Sequence, residues 1–305
     1  MAIPDSGIKA DAPIGFIGLG VMGRSMAARL LAAGFRLRVH SRTAAKAQAL
    51  LDAGADWEPD PGALARGCAA VITMLGFPDE VEDVYFGSKG LLRAAAADSR
   101  ADAPLLIDMT TSRPALARRI HAEAARLGWS ALDAPVSGGD VGAREGRLSI
   151  MAGGDAVAFK TAQPLFAAMG TRIVLQGGAG SGQRVKLCNQ IAVFGNTLGT
   201  CEAMAFAVKA GLDPAKVLDS IGAGAASSWA LTNLAPRILN VDFAPGFFVR
   251  HFQKDIGLAL EEARDMGLEV PGLSLAKELY GRLIAAGLGD QGTQALYLLL
   301  NPQEI

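Results

Sequence analysis

The stretch Ile14-Gly15-Phe16-Ile17-Gly18-Leu19-Gly20-Val21-Met22-Gly23 decides how the first half of this chain is read. A short apolar run leads directly into glycines at Gly18, Gly20 and Gly23, and an amphipathic helical pattern follows. In a strand–turn–helix unit the first glycine permits a tight turn and the second lets a pyrophosphate approach the backbone. The third lets helix and strand pack closely. Phosphates then rest at the positive end of the helix. An ordinary glycine turn has the same spacing, but this one opens the first βα unit of the chain. We therefore read Gly18, Leu19, Gly20, Val21, Met22 and Gly23 as a dinucleotide-binding turn.

Working outward, Leu37–His40, Val71–Leu75, Leu105–Asp108 and Ala131–Pro135 are brief apolar runs bounded by turn residues, the signature of buried strands. Helical stretches separate them, among them Val21–Ala33 and Pro114–Leu127, the latter opened by Ser112 and Pro114. Such alternation predicts a doubly wound parallel sheet of Rossmann type with helices on both faces. Leu148–Ala152 and Arg172–Leu175 would extend that sheet. After the glycine cluster Gly177–Gly182 only helical patterns follow, at 183–210, 214–222, 228–239, 252–267, 272–286 and 292–300. The expected organisation is a dinucleotide-binding domain over 1–177 and an all-helical domain over 178–305.

At 305 residues, half of them hydrophobic and 19% charged, the chain can bury two cores. A formal net charge of -1 argues against nucleic acid or an anionic membrane surface as partner, since both favour a basic excess. Cys68, Cys188 and Cys201 have no paired spacing and His40, His121 and His251 are scattered, so no metal site or disulfide framework is expected. A reduced, cytoplasmic setting is the plain expectation, and the first dozen residues are no secretory signal. Ile191 to Val208 is apolar and of helix length. Asn196 and Glu202 within it would be costly in a bilayer. It is expected to be a helix buried all round, in a core or a subunit interface.

Four further segments carry chemistry. In NAD enzymes an acidic residue ends the second strand and takes the ribose hydroxyls. Here Val39-His40-Ser41-Arg42-Thr43 has no carboxylate, and Arg42 with Thr43 offers donors suited to a 2′-phosphate. Such a contact, worth ~1.5–3 kcal/mol, gives a roughly 10- to 150-fold preference for NADP, with NAD the weaker cofactor. In Asp133-Ala134-Pro135-Val136-Ser137-Gly138-Gly139, Ser137 and the glycine N–H groups suit a carboxylate. The segment reads equally well as a strand-to-helix turn with Ser137 as N-cap. In the helix that begins near Gln183, Asn189 and Gln190 lie at i+3 and i+4 from Lys186, so amine and amides share one face. Near a helix start the dipole disfavours a cation, and with burial this would lower the amine's pKa into a range useful for proton transfer. A lysine there is more often a snorkelling surface residue, so this assignment needs the other motifs. Lys254-Asp255 is of a kind usually solvated, and Phe247, Phe248 and Phe252 around it leave a partly buried role open.

Taken together and in this order, these segments resemble the β-hydroxyacid dehydrogenase family, which includes 3-hydroxyisobutyrate dehydrogenases and tartronate semialdehyde reductases. The resemblance runs from Ile14 to about Leu300. It implies that Gly18, Gly20 and Gly23 bind the dinucleotide, that Arg42 and Thr43 form an NADP-type strand end, and that Met74 and Leu75 contact the cofactor. Thr111 would sit near nicotinamide and substrate, and Ser137, Gly138 and Gly139 would bind the substrate carboxylate. Lys186 matches the catalytic lysine, Asn189 and Gln190 the polar positions beside it, and Lys254 a lysine that closes over cofactor and substrate. Hydroxyisobutyrate-type members commonly read Asn-Asn where this chain has Asn189-Gln190, which tilts the substrate towards tartronate semialdehyde. Trp229, Phe247 and Phe248 either line the pocket or pack helices together.

The implied reaction is hydride transfer from NADPH to the aldehyde of a small carboxylic acid, with Lys186 donating a proton. An imine-reducing relative and a non-catalytic binding protein on the same fold are the alternatives, and Lys186 with the full glycine set counts against both. Longer sugar-acid dehydrogenases place a histidine near the lysine, and none stands here. The long apolar helix after Gln183, roughly 40 Å at about 1.5 Å per residue, predicts a homodimer or homotetramer.

Overall fold

The computed structural model describes residues 7–9, 11–96 and 103–301. It divides into two compact units, the first ending at Lys186 and the second beginning at Leu187.

In the first unit the order is β1 (Ile14–Ile17), α1 (Val21–Ala32), β2 (Leu37–His40), α2 (Gln48–Asp52), β3 (Asp56–Trp57), α3 (Pro61–Gly67), β4 (Ala70–Thr73), α4 (Pro78–Phe86), α5 (Leu91–Ala96), β5 (Leu105–Asp108), α6 (Pro114–Arg126) and β6 (Ser130–Asp133). There follow β7 (Val136–Ser137), α7 (Gly139–Glu145), β8 (Leu148–Ala152), α8 (Ala156–Met169), β9 (Gly170–Leu175) and the start of α9 (Ser181–Lys209). The six-stranded sheet runs β3-β2-β1-β4-β5-β6, all parallel. This is the doubly wound order, whose switch point lies between β1 and β4.

Period-two alternation sends side chains to both faces. Ile14, Phe16, Ile72, Leu105 and Ile107 enter one core, and Ile17, Val71 and Leu106 enter the other. Burial on both faces explains why these strands read as continuous apolar runs. Each fully buried Ile, Leu or Phe contributes roughly 1.5–3 kcal/mol.

The expected extension of this sheet does not occur. β8 and β9 pair in parallel, β7 pairs antiparallel with β8, and the three form a separate sheet. The six-stranded ladder ends where the Ala134 N–H donates to the Asp108 carbonyl. A bridge between Asp133 and Gly153 joins the two sheets.

The second unit holds the rest of α9, then α10 (Pro214–Gly222), α11 (Trp229–Asn233), α12 (Ala235–Leu239), α13 (Val249–Asp265), α14 (Pro271–Ala285) and α15 (Leu296–Leu300). No strand occurs among its described residues. The single helix expected over 228–239 is two, because Pro236 in the first turn of α12 cannot continue the amide ladder of α11. Phe194, Met204, Phe252, Ile256, Tyr280 and Tyr297 form the centre of its core.

Within one chain the apolar part of α9 is buried on one face only, so burial all round in the core of a single chain is not what is found, and the subunit-interface reading stays open. The helix is long and apolar enough by length and composition to cross a membrane. Phe194, Cys201 and Met204 are buried, but Ile191, Gly195, Gly199 and Phe206 are exposed, so a 3.6-residue period gives two faces.

Candidate active site

The glycine turn after β1 has the backbone geometry its spacing predicts. Gly18 sits at φ +100°, and a β-carbon there would strike the Met74 carbonyl. A β-carbon at Gly23 would collide with the Gly18 carbonyl oxygen, so α1 packs against the strand end only because none is present. At Gly20, by contrast, an added β-carbon meets nothing within 4 Å, which leaves open space over the start of α1. Gly20 is the N-cap residue, no side chain caps the helix, and its first turn holds no acidic residue. An uncapped 12-residue helix facing open space fits a dinucleotide pyrophosphate. Leu19 is buried while Val21 and Met22 begin α1.

Neighbouring strand ends complete this side. Met74 N–H donates to the Ile17 carbonyl at 2.9 Å, which fixes Met74 and Leu75 beside Gly18 at the switch point. Arg42 and Thr43 follow β2 and are both exposed. The Arg42 guanidinium is paired with Glu80 at 2.7 Å. Sequence reasoning missed Glu80, which also accepts from Gly76 N–H at 2.9 Å and closes the first turn of α4.

At β5 the structure shows a buried polar chain. Asp108 Oδ1 accepts from the Thr73 hydroxyl at 2.8 Å and from Thr110 N–H at 3.1 Å, and the Thr110 hydroxyl accepts from Leu75 N–H at 2.9 Å. Thr73 also meets the Tyr85 hydroxyl at 3.2 Å. Burial pushes the Asp108 carboxyl up to about 6, although the Thr110 and Thr73 hydrogen bonds pull it down. Burial, and then the charge of Asp108, raise the Tyr85 phenol well above its ordinary range. Thr111 follows, half-buried.

Ser137 ends β7 and is partly exposed. It is not the cap of α7: Gly138 occupies that position at φ +133°, and Gly139 follows at φ +65°. Two successive residues at positive φ require glycine and turn the backbone into a compact bend, the shape that presents N–H groups to an anion.

Lys186 lies in the second turn of α9 and is 7% exposed, so it is no snorkelling surface residue. The helix start is held by Asp133, whose carboxylate accepts from Gly180 N–H at 2.7 Å and Gln183 N–H at 2.8 Å. Burial raises the Asp133 carboxyl above its ordinary range, with the amides of Gly180 and Gln183 opposing it. Because Asp133 binds these amides, α9 begins at Ser181, before the expected Gln183, and its first turn belongs to the first unit.

In the second unit, Asn189 Nδ2 donates to Gln190 Oε1 at 2.8 Å, and Gln190 Nε2 donates to Asp255 Oδ2 at 2.6 Å. Lys254 Nζ lies 2.8 Å from Asp255 Oδ1. Asp255 is 1% exposed, so the Lys-Asp pair is buried rather than solvated. Gln190, only 2% exposed, has its amide engaged on both sides. Phe247 packs on Phe252 with ring centres 5.5 Å apart, whereas Trp229 is 56% exposed at the start of α11. Among the described residues no cluster has the ligands for a metal ion.

Two family models together cover almost the whole chain. The NAD binding domain of 6-phosphogluconate dehydrogenase matches residues 13–178, and the NAD-binding domain of NADP-dependent 3-hydroxyisobutyrate dehydrogenase matches 180–300. The 2-hydroxy-3-oxopropionate reductase of Escherichia coli is 38% identical, over 94% of this chain and 98% of its own. The chain belongs to the β-hydroxyacid dehydrogenase family. This β-hydroxyacid dehydrogenase is also 52% identical to YkwC, an uncharacterized oxidoreductase of Bacillus subtilis, over 94% of this chain and 98% of that one. The 3-hydroxyisobutyrate dehydrogenase of Mycobacterium tuberculosis, solved with L-serine, superposes with a TM-score of 0.83 at 32% identity, covering 95% and 99% of the two chains. The family's members are nicotinamide-dependent oxidoreductases acting on hydroxyl groups, and this β-hydroxyacid dehydrogenase is one of them.

Proposed function

We propose that this enzyme is an NADP-preferring oxidoreductase that interconverts a small β-hydroxy carboxylic acid and its semialdehyde, with Lys186 as acid and base. The observation that carries this is Lys186 itself. It is a buried amine one turn along a helix whose start is tied to the carboxyl ends of β5 and β6, where such sheets bind ligands.

The open face at Gly20 and the uncapped start of α1 would hold the pyrophosphate. When bound, the reduced nicotinamide supplies the hydride that turns the aldehyde carbon into an alcohol carbon. Lys186 Nζ gives a proton to the oxygen developing negative charge, and takes it back when the alcohol is oxidised. Asn189, one turn further on the same helix, orients the amine or the substrate. Ser137 and the Gly138 and Gly139 amides grip the carboxylate, and Thr111 flanks the reacting carbon. Gln190, with its amide committed to Asp255, acts through Asn189 rather than on the substrate.

NADP preference rests on Arg42. Its exposed guanidinium spends one nitrogen on Glu80 and keeps the rest of its donor fork for a 2′-phosphate. The Asn189-Gln190 pair, together with 38% identity to a 2-hydroxy-3-oxopropionate reductase, favours tartronate semialdehyde. The exposed Ile191, Gly195, Gly199 and Phe206 face of α9 supports a homodimer or homotetramer, to be checked by light scattering. A monomer at micromolar concentration would contradict it.

The direct test offers NADPH or NADH with the semialdehydes of tartronate, methylmalonate and succinate, and with glyoxylate, and follows loss of reduced-nicotinamide absorbance. Turnover of one acid with NADPH favoured is expected. NADPH binding with no acid turned over would overturn the proposal and favour imine reduction or a binding role.

A further inference from the structure

Gln183 is fully buried and lies in the first turn of α9, three residues before Lys186. Its side-chain Nε2 donates to the Thr110 carbonyl at 2.7 Å, and its Oε1 accepts from Ser112 N–H at 2.9 Å. These are the two backbone groups that flank Thr111. A parallel neighbour strand pairs with a residue in this pattern, taking the N–H after it and giving to the C=O before it. The chain beyond β5 has no such neighbour here, and one primary amide replaces it.

The same residue fixes the helix. Gln183 N–H donates to Asp133 Oδ2 at 2.8 Å, and Gly180 N–H donates to Asp133 Oδ1 at 2.7 Å. A β-carbon at Gly182 would lie 2.9 Å from Asp133 Oδ2, so the helix start approaches β6 as closely as a backbone can. From the other side, Thr110 is held by Asp108 and by Leu75. Thr111 and the first turn of α9 are thus locked to one another through a single amide whose donor and acceptor are both used.

We propose that Gln183 is a positioning residue for the reaction. Its amide clamps the peptide on both sides of Thr111 and sets the register of α9 against it, so that Lys186 is presented at a fixed distance from Thr111. This rests on the assignment of Lys186 as acid and base. The chemistry asks for a planar fork with one donor and one acceptor, which the primary amide of glutamine offers at every ordinary pH. A carboxylate would turn an acceptor towards the Thr110 carbonyl, whereas a protonated carboxyl group restores the donor–acceptor pair.

Gln183→Leu and Gln183→Glu are compared with Lys186→Ala in the full-length enzyme. At pH 8 both Gln183 variants are expected to lose roughly 10- to 100-fold in kcat, as expected for a misplaced catalytic group. NADPH Kd should stay within about twofold of wild type, a change of under about 0.5 kcal/mol. As pH is lowered and the buried carboxyl takes up a proton, Gln183→Glu should recover part of its rate and Gln183→Leu none. Hydrogen exchange at the Ser112 amide should quicken in Gln183→Leu whatever the activity does. Wild-type kcat in both variants while Lys186→Ala is inactive would overturn the proposal. So would a loss confined to KM, or one in Gln183→Glu that low pH does not relieve. A fully active Lys186→Ala would instead sink the lysine assignment, and the Ser112 exchange rate would still test the clamp.

Discussion

The turn after β1 and the start of α9 are both helix entrances in the first unit, and they are built on opposite principles. At Gly20 no side chain caps α1, no acidic group stands in its first turn, and the space above is empty. The turn functions by what it omits, leaving its amides for a ligand. At α9 the corresponding amides are already taken by a buried carboxylate, and the first-turn side chain Gln183 is bonded at both ends. On the proposed function, the open entrance would receive the cofactor and the closed one would hold Lys186 still. Substitutions should therefore cost affinity at the first and stability at the second.

The largest effect is expected at the closed entrance. Asp133→Ala strands the Gly180 and Gln183 amides, and each buried donor left unpaired costs about 1–3 kcal/mol. Denaturant unfolding should show a loss of about 2–6 kcal/mol. A loss below about 1 kcal/mol would mean that the carboxylate is not the cap.

The second effect is pH-dependent. Asp108 titrates near 3.8 when unfolded and near 6 when folded, so the folded state binds more protons between those values. Stability is then fully favoured below the lower value and falls as pH rises through about 6, by about 3 kcal/mol at most. Asp108→Asn keeps the Oδ1 acceptor for Thr73 and Thr110, and should flatten this decline relative to wild type. Identical slopes in the two proteins would contradict it.

At the open entrance the signs reverse. Gly20→Ala meets no atom within 4 Å and has an ordinary φ of -71°, so its unfolding free energy should stay within about 0.5 kcal/mol. Its methyl group would intrude on the pyrophosphate, and calorimetry should show NADPH binding weakened roughly 10- to 100-fold. Arg42→Ala should lower the NADPH-to-NADH preference roughly 10- to 150-fold. The smallest effect belongs to Glu80→Gln. Losing an ion pair whose arginine is exposed costs under about 1 kcal/mol, since the glutamine keeps an acceptor for Gly76, while freeing Arg42 should raise the NADPH preference a few-fold.

The same contrast explains what the sequence could disclose. A glycine turn is legible because three positions each need the absence of a side chain, and their spacing is fixed by covalent geometry. The parallel strands were legible because burial on both faces leaves unbroken apolar runs, as in Leu105–Asp108. Lys186 and Lys254 came from family resemblance, not from spacing. The partners that hold the site were not legible: Gln183 reaches Thr110 across 73 positions, Asp133 reaches Gly180 across 47, and Gln190 reaches Asp255 across 65. Pairs so distant carry no local pattern, and a buried glutamine looks like an exposed one in a sequence. The separate sheet of β7, β8 and β9 was missed for a related reason. Alternation identifies a strand, but not the sheet it joins.

The most direct measurement is turnover by Lys186→Ala beside its NADPH affinity, made with the acid the wild-type enzyme reduces best. Our account predicts a fall in kcat of about 10²–10⁴, or ~3–5 kcal/mol of barrier, with the NADPH Kd nearly unchanged. Wild-type turnover, or a loss that follows failed cofactor binding alone, would contradict the assignment of Lys186 as acid and base.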